Sequence, residues 1–161
     1  MMRIVTIMVL VLFSYLYSAG QNLSNRGKEF WVSYPYHWYY ENGGDCSGPG
    51  CKNSQEMVLY LSAEEDATVT VTCYANATTR TFVYNVPAGT VQVSDYIPKA
   101  GTFDSRLYDL PVSFGGNGGE GLYTKGIHIT STTPIVVYAH YIGSATSGGA
   151  MLFPVEAYGY T

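Results

Sequence analysis

A chain of 161 residues with 8 basic and 12 acidic side chains has a formal net charge of −4. It holds no cluster of Lys or Arg, and nucleic acid or an anionic membrane surface would need such a positive footprint, so neither is expected as a partner. Its 16 tyrosines and 18 glycines, with many Thr and Val and few Leu, Lys or Glu, form a sheet composition too rich in strand formers for disorder.

In chain order, Met1-Met2-Arg3 supplies a positive charge, Ile4 to Tyr17 is apolar and uncharged, and Ser18-Ala19-Gly20 is small. This is the pattern of a secretory signal peptide over residues 1–20, cleaved after Gly20. The apolar run is shorter than the about 20 residues that cross a bilayer. The mature chain, residues 21–161, then reads as one all-β extracellular domain with no transmembrane segment. Its abrupt end behind Ala157-Tyr158-Gly159-Tyr160 leads us to expect a domain incomplete at its C-terminus.

Residues 21–28 are a polar lead-in. Glu29 to Tyr34 is the first strand, with Phe30, Val32 and Tyr34 on one face and Trp31 and Ser33 on the other. Trp31 is expected to anchor the core. Pro35 ends regular pairing, and Tyr36-His37-Trp38-Tyr39-Tyr40 follows as an aromatic cluster. Gln55 to Ser62 is the next strand, with Met57, Leu59 and Leu61 on one face. Thr68 to Tyr74 alternates with Val69, Val71 and Cys73 inward. Thr79 to Val86 returns antiparallel, with Phe82, Tyr84 and Val86 sharing a face, and Thr90 to Val93 follows the Pro87-Ala88-Gly89 turn.

Asp95 to Leu110 is less periodic, and is where a short helix is expected. Gly115 to Gly119 is a loop without the Gly-Lys-Ser/Thr of a phosphate loop. Gly121 to Thr130 and Ile135 to Ile142 are expected to pair as a hairpin across Ser131-Thr132-Thr133-Pro134, and Ala150 to Phe153 starts another strand. About eight short strands with no long helical segments between them predict an antiparallel β-sandwich-like domain with Gly/Pro-rich turns.

Cys46 and Cys51 flank Gly48-Pro49-Gly50, a turn that can bring their Cβ atoms within bridging range, so a local disulfide is expected. Cys73, in an alternating strand, reads as a buried free thiol, the other reading being a partner beyond this chain. Asn22-Leu23-Ser24 and Asn76-Ala77-Thr78 match the N-glycosylation pattern, which matters only in a host that has the machinery.

Three stretches taken together resemble a known extracellular domain: Gly27 to Val32; Val69-Thr70-Val71-Thr72 with Val86-Pro87-Ala88-Gly89; and Gly126 to Ala139 followed by Ala150 to Gly159. They are similar to the N-terminal domain of IgG Fc-binding protein and its bacterial secreted and surface relatives. The resemblance covers most of the mature chain. It implies a secreted or cell-surface module that precedes further domains of the same polypeptide, and it brings no catalytic set. The Gly43 to Cys51 insertion departs from the family's pattern.

The chemistry of the residues points the same way. His37, His128 and His140 are the histidines; across the expected hairpin, His128 and His140 would lie at opposite ends and could not share a metal. No HExxH or GxSxG pattern occurs. No cofactor or metal is expected, and the chain is read as a non-enzyme. The candidate ligand-binding surface is Tyr36, His37, Trp38, Tyr39 and Tyr40, because successive strand residues cannot all face a core; a crossover packed between two sheets is the other arrangement open to them. The function expected is a non-catalytic exported structural or adhesion module. A carbohydrate-binding module using exposed Trp and Tyr is the alternative, ahead of a secreted hydrolase. The partners are an extracellular protein or glycan.

Overall fold

The computed structural model describes residues 24–34, 56–100, 103–107, 122–142 and 147–158. Among them the alternating stretches form nine strands: β1 (Gly27–Val32), β2 (Glu56–Ala63), β3 (Ala67–Ala75), β4 (Thr78–Val86), β5 (Thr90–Val93), β6 (Lys99–Ala100), β7 (Phe103–Asp104), β8 (Lys125–Ile142) and β9 (Gly148–Met151). A 3-10 turn follows at Val155–Tyr158. β4, β3, β8, β2 and β5 are joined in that order, β1 and β9 also pair with β8, and β6 with β7 forms a separate ribbon. Every pairing between strands is antiparallel. The domain is thus all-β, an antiparallel curled sheet consistent with a β-sandwich-like fold.

β8 corrects the expected hairpin, because Ser131-Thr132-Thr133-Pro134 does not turn. The chain runs straight through it as one strand of 18 residues. β3 pairs with the first part, from Ala75↔Lys125 to Val69↔Ser131, and β2 with the second, from Ala63↔Ile135 to Glu56↔Ile142. Thr132, Thr133 and Pro134 fall in the gap between these ladders. There the Thr68 N–H donates to Thr132 Oγ1 at 2.9 Å and the Thr133 hydroxyl donates to the Asp66 carbonyl at 3.4 Å. Pro134, which has no N–H to give, sits where no ladder bond asks for one. Threonine's β-branching favours the extended chain on either side.

One face of the sheet carries the core. Phe30 on β1 faces Ile129 on β8, which faces Val71 on β3, which faces Phe82 on β4. Further along, Ala63, Leu61, Leu59 and Met57 of β2 meet Ile135, Val137, Ala139 and Tyr141 of β8. Phe30, Ile129, Val71, Leu59, Leu61 and Val137 are fully buried. Tyr34, Ile97 and Phe103 join this cluster from outside the main ladders. The stretch after β5 is held along β2 by Ser94 N–H to the Leu59 carbonyl and Ile97 N–H to the Met57 carbonyl, both 2.9 Å.

The inward faces read for β2, β3 and β4 match the structure: Met57, Leu59, Leu61, Val69, Val71, Cys73 and Val86 are buried, with Phe82 and Tyr84 packed against them. Three other expectations are corrected. The described part of Asp95 to Leu110 holds the β6–β7 ribbon and no helix, in keeping with its lack of helical periodicity. Trp31 is half exposed, because strict alternation turns it away from the side that buries Phe30. No disulfide bond is present among the described residues. Their cysteine, Cys73, is a free thiol buried in the core cluster; Cys46 and Cys51 lie outside the described residues. No helix among the described residues is long and apolar enough to cross a membrane.

Ile129 sits at the centre of the four-strand row, so we predict that Ile129→Ala lowers unfolding free energy by about 2–5 kcal/mol in a urea titration. A loss under about 1 kcal/mol would contradict the packing described.

Candidate functional site

The outer face of the same ladders carries a different set of side chains. Trp31 on β1 lies opposite His128 on β8, His128 opposite Thr72 on β3, and Thr72 opposite Thr81 on β4. The indole of Trp31 stacks on the His128 imidazole with centroids 4.2 Å apart and an interplanar angle of 13°. It stacks also with the Tyr74 ring, at 5.9 Å and 21°. Gly126 of β8 lies beneath the indole, where a Cβ would stand in ordinary van der Waals contact, 3.8 Å from Trp31 Cε3 and Cζ3. His128 Nε2 is in turn 2.9 Å from Glu29 Oε1, two residues before Trp31 on the same strand. The three rings and the carboxylate therefore fix one another's rotamers.

Beside this stack lies an open cleft of about 230 Å³ lined by Trp31, Tyr74, Asn76, Tyr123, Thr124 and Lys125. Its wall is built by the two-residue turn between β3 and β4. Asn76 is left-handed there, with φ 56°, a conformation that Asn tolerates better than most residues. The Asn76 N–H donates to the Thr124 carbonyl at 3.0 Å, and the Thr78 hydroxyl donates to the Ala75 carbonyl at 3.0 Å. The turn and the entry to β8 are thereby tied together.

A second outward row crosses the far half of the sheet. Val93, Tyr60, Tyr138 and Met151 face one another across β5, β2, β8 and β9, and Val93, Tyr138 and Met151 are exposed. The His140 ring meets Tyr60 edge-on at 5.5 Å. A depression of about 530 Å³ runs over Tyr60, Ser62, Val91, Tyr138, Ala139, His140 and Gly149. His128 and His140 share one strand, twelve residues and up to about 40 Å apart. Among the described residues no three His, Cys, Asp or Glu side chains gather as a metal site.

Burial sets the acid–base behaviour of the inner face. It pushes the Cys73 thiol from 9.0 to about 11, against a smaller pull downward from Arg80, which faces it on β4. Tyr84 rises from 10.0 to about 12, chiefly by burial, with the Asp95 carboxylate adding to the rise while the Asp95 N–H opposes it. The Tyr84 hydroxyl both donates to Asp95 Oδ2 and accepts from the Asp95 N–H, each at 3.1 Å. Tyr141 is raised by burial as well.

The expected binding residues Tyr36, His37, Trp38, Tyr39 and Tyr40 lie outside the described residues, as do Cys46 and Cys51. The structure brings together instead Trp31, Tyr74, His128, Glu29 and Tyr123, none of which was singled out for binding from sequence. The signal that marks them is parity: Trp31 alternates with Phe30, and Tyr74 with Cys73, so each points away from the core.

No protein-family model and no curated protein matches the chain. The expected Fc-binding-like keywords are corrected accordingly: neither comparison returns a match to that family or to a secreted or surface protein, and the all-β fold is what the findings support. One solved structure, titled "Crystal Structure of Thermotoga maritima 1070", is similar at a TM-score of 0.45 and 12% identity, over 83% of this chain and 98% of that one. A likeness of that size carries no argument about function.

The Cys73 thiol stays protonated and sealed in the core, so we predict that iodoacetamide at pH 8 leaves it unmodified in the native chain and alkylates it in urea, read by peptide mass spectrometry. Because the folded thiol binds its proton more tightly than the unfolded one, the native state holds more protons above pH 9.0. Stability is therefore whole below that pH and falls as pH rises towards about 11, with Tyr84 extending the loss towards about 12. Urea midpoints at pH 8 and pH 10.5 that do not differ would contradict this.

Proposed function

We propose that this chain is a non-catalytic exported module for adhesion or assembly, a stiff β scaffold that presents aromatic side chains to a partner. The observation that carries the reading is the Trp31–His128–Tyr74 stack. A large indole is left half exposed, yet its neighbours hold it in one orientation on a paired strand next to the long central one. Ordered, exposed Trp and Tyr give much contact area for little lost side-chain entropy, which makes them strong anchors of interfaces. Placement outside the cell rests on the leader-like residues 1–20 alone. Non-catalysis rests on the lack of an HExxH or GxSxG motif in the sequence.

The test is retention of beads carrying the purified chain on immobilised glycoprotein, with albumin as the control surface. Retention above albumin is expected, and it should fall about tenfold with Trp31→Ala, since truncating a central aromatic anchor costs at least about 1–2 kcal/mol of binding. Retention equal to that on albumin would overturn the adhesive reading. An unchanged circular dichroism spectrum keeps the variant a test of binding and not of folding.

A further inference from the structure

We propose that this chain forms a two-fold dimer through the free edge of β4, so that two sheets join into one across a pair of antiparallel β4 strands. β4 ends the row β1, β8, β3, β4 and pairs with β3 alone among the described strands. Which of its backbone groups are spent follows from the turn. Ala75 and Thr78 are partners across two residues, a spacing at which the closing pair exchanges its own N–H and C=O groups. Every second pair after it does the same, so Thr78, Arg80, Phe82, Tyr84 and Val86 bond to β3. Thr79, Thr81, Val83 and Asn85 aim their backbone groups the other way, and among the described residues nothing bonds to them there. All four side chains are exposed, Val83 by 61%.

Open edges are normally guarded by shortness, charge, proline or a bulge. β5 and β9 have four residues each. β1 carries Lys28 and Glu29 and a register shift between Gly27 and Glu29. β4 has none of these guards: it runs nine residues in unbroken register, without proline, and Arg80 is its one charge.

The strand that completes this edge is β4 itself. With two copies antiparallel about an axis at Phe82, Thr79 meets the second copy's Asn85 and Thr81 meets its Val83, so every outward backbone group on both strands is matched. A slide by one such pair either way leaves groups unmatched at the ends. The same register puts Phe82, partly buried in one copy, against its own copy on the axis, and Val83 against a threonine. It also puts Arg80, which lies over the Phe103 ring at 4.9 Å, opposite the second copy's Tyr84, whose hydroxyl is bonded to the Asp95 carboxylate. The cation thus gains a ring and an anion, while the two Arg80 residues stay about 14 Å apart along the strands. A different protein would have to bring a strand with these pairings, and each copy of this chain already carries one.

The two-fold keeps the faces of the sheet in sense. Both Trp31–His128–Tyr74 stacks then lie on one surface, seven strand spacings or roughly 34 Å apart. The dimer does not depend on the adhesive reading, but it would give that reading two anchors per particle. One strand edge about 30 Å long is a contact at the low end of specific interfaces, so dimer and monomer are expected to exchange at about 10–100 µM.

The test is sedimentation equilibrium of the purified full chain from about 5 to 500 µM, which brackets that range, and a reversible monomer–dimer fit is expected. Val83→Pro deletes an N–H that points only at the free edge, where an edge strand accepts proline. It should weaken the dimer about tenfold or more with an unchanged circular dichroism spectrum. Val83→Lys charges the edge without constraining the backbone, should weaken the dimer several-fold, and decides the question where the proline variant loses its fold. Oxidative cross-linking reads the register. Phe82→Cys should join two copies readily, because the residues on the axis form a non-hydrogen-bonded pair with Cα atoms about 4.5 Å apart. Val83→Cys should do so much more slowly, and peptide mass spectrometry separates either bridge from Cys46, Cys51 and Cys73. A single monomeric species across the whole range overturns the proposal. So does a dimer that folded Val83 variants leave unchanged, or a Val83→Cys chain that cross-links as fast as Phe82→Cys.

Discussion

The main sheet depends on the pairing of one strand on both of its edges. β8 is long enough that its backbone donors and acceptors could not be satisfied by a single neighbour of ordinary length, since strands usually run about 3–10 residues. β3 and β2 share one edge in succession, and β1 and β9 divide the other, because β1 overlaps β3 and β9 overlaps β2 along β8. Ladder bonds then fix register, and register fixes which side chains face inward. A slip of one residue would bring His128 and His140 into the core and put Ile127, Ile129 and Val137 in water.

That dependence explains what was legible in the sequence. Period-two alternation gave the inward sets of β2, β3 and β4 correctly, because a sheet with one dry face imposes that period on every strand. The same rule applied to Glu29–Tyr34 already placed Trp31 opposite Phe30. Reading it as a core anchor set the size of the side chain above its parity, and parity decided. Ser131-Thr132-Thr133-Pro134 misled for another reason. Ser and Pro favour turns, but two threonines suit an extended chain, and the proline falls at the one place where two partner strands abut and leave a gap. That gap is a tertiary fact that no local pattern records.

The candidate site was less legible still. Trp31, Tyr74, Tyr123 and His128 are far apart in sequence, and what gathers them is the registration of β1 and β3 on either side of β8. The aromatics of Tyr36 to Tyr40 are contiguous in the chain. Contiguity is visible in a sequence, whereas adjacency across a sheet is not.

The shared edge of β8 has a mechanical consequence. The end of β9 meets the start of β1 there: a Cβ on Gly27 would run into the Pro154 ring, Asn25 Nδ2 lies 3.2 Å from Met151 Sδ, and the Leu152 N–H continues the β9 ladder to the Val137 carbonyl. Tension applied through the two flanking segments would therefore act at one seam and peel β1 and β9 away in opposite directions. Bonds loaded in that geometry break one after another instead of together in shear, so the expected yield is at low force, visible as a low plateau in a force–extension trace.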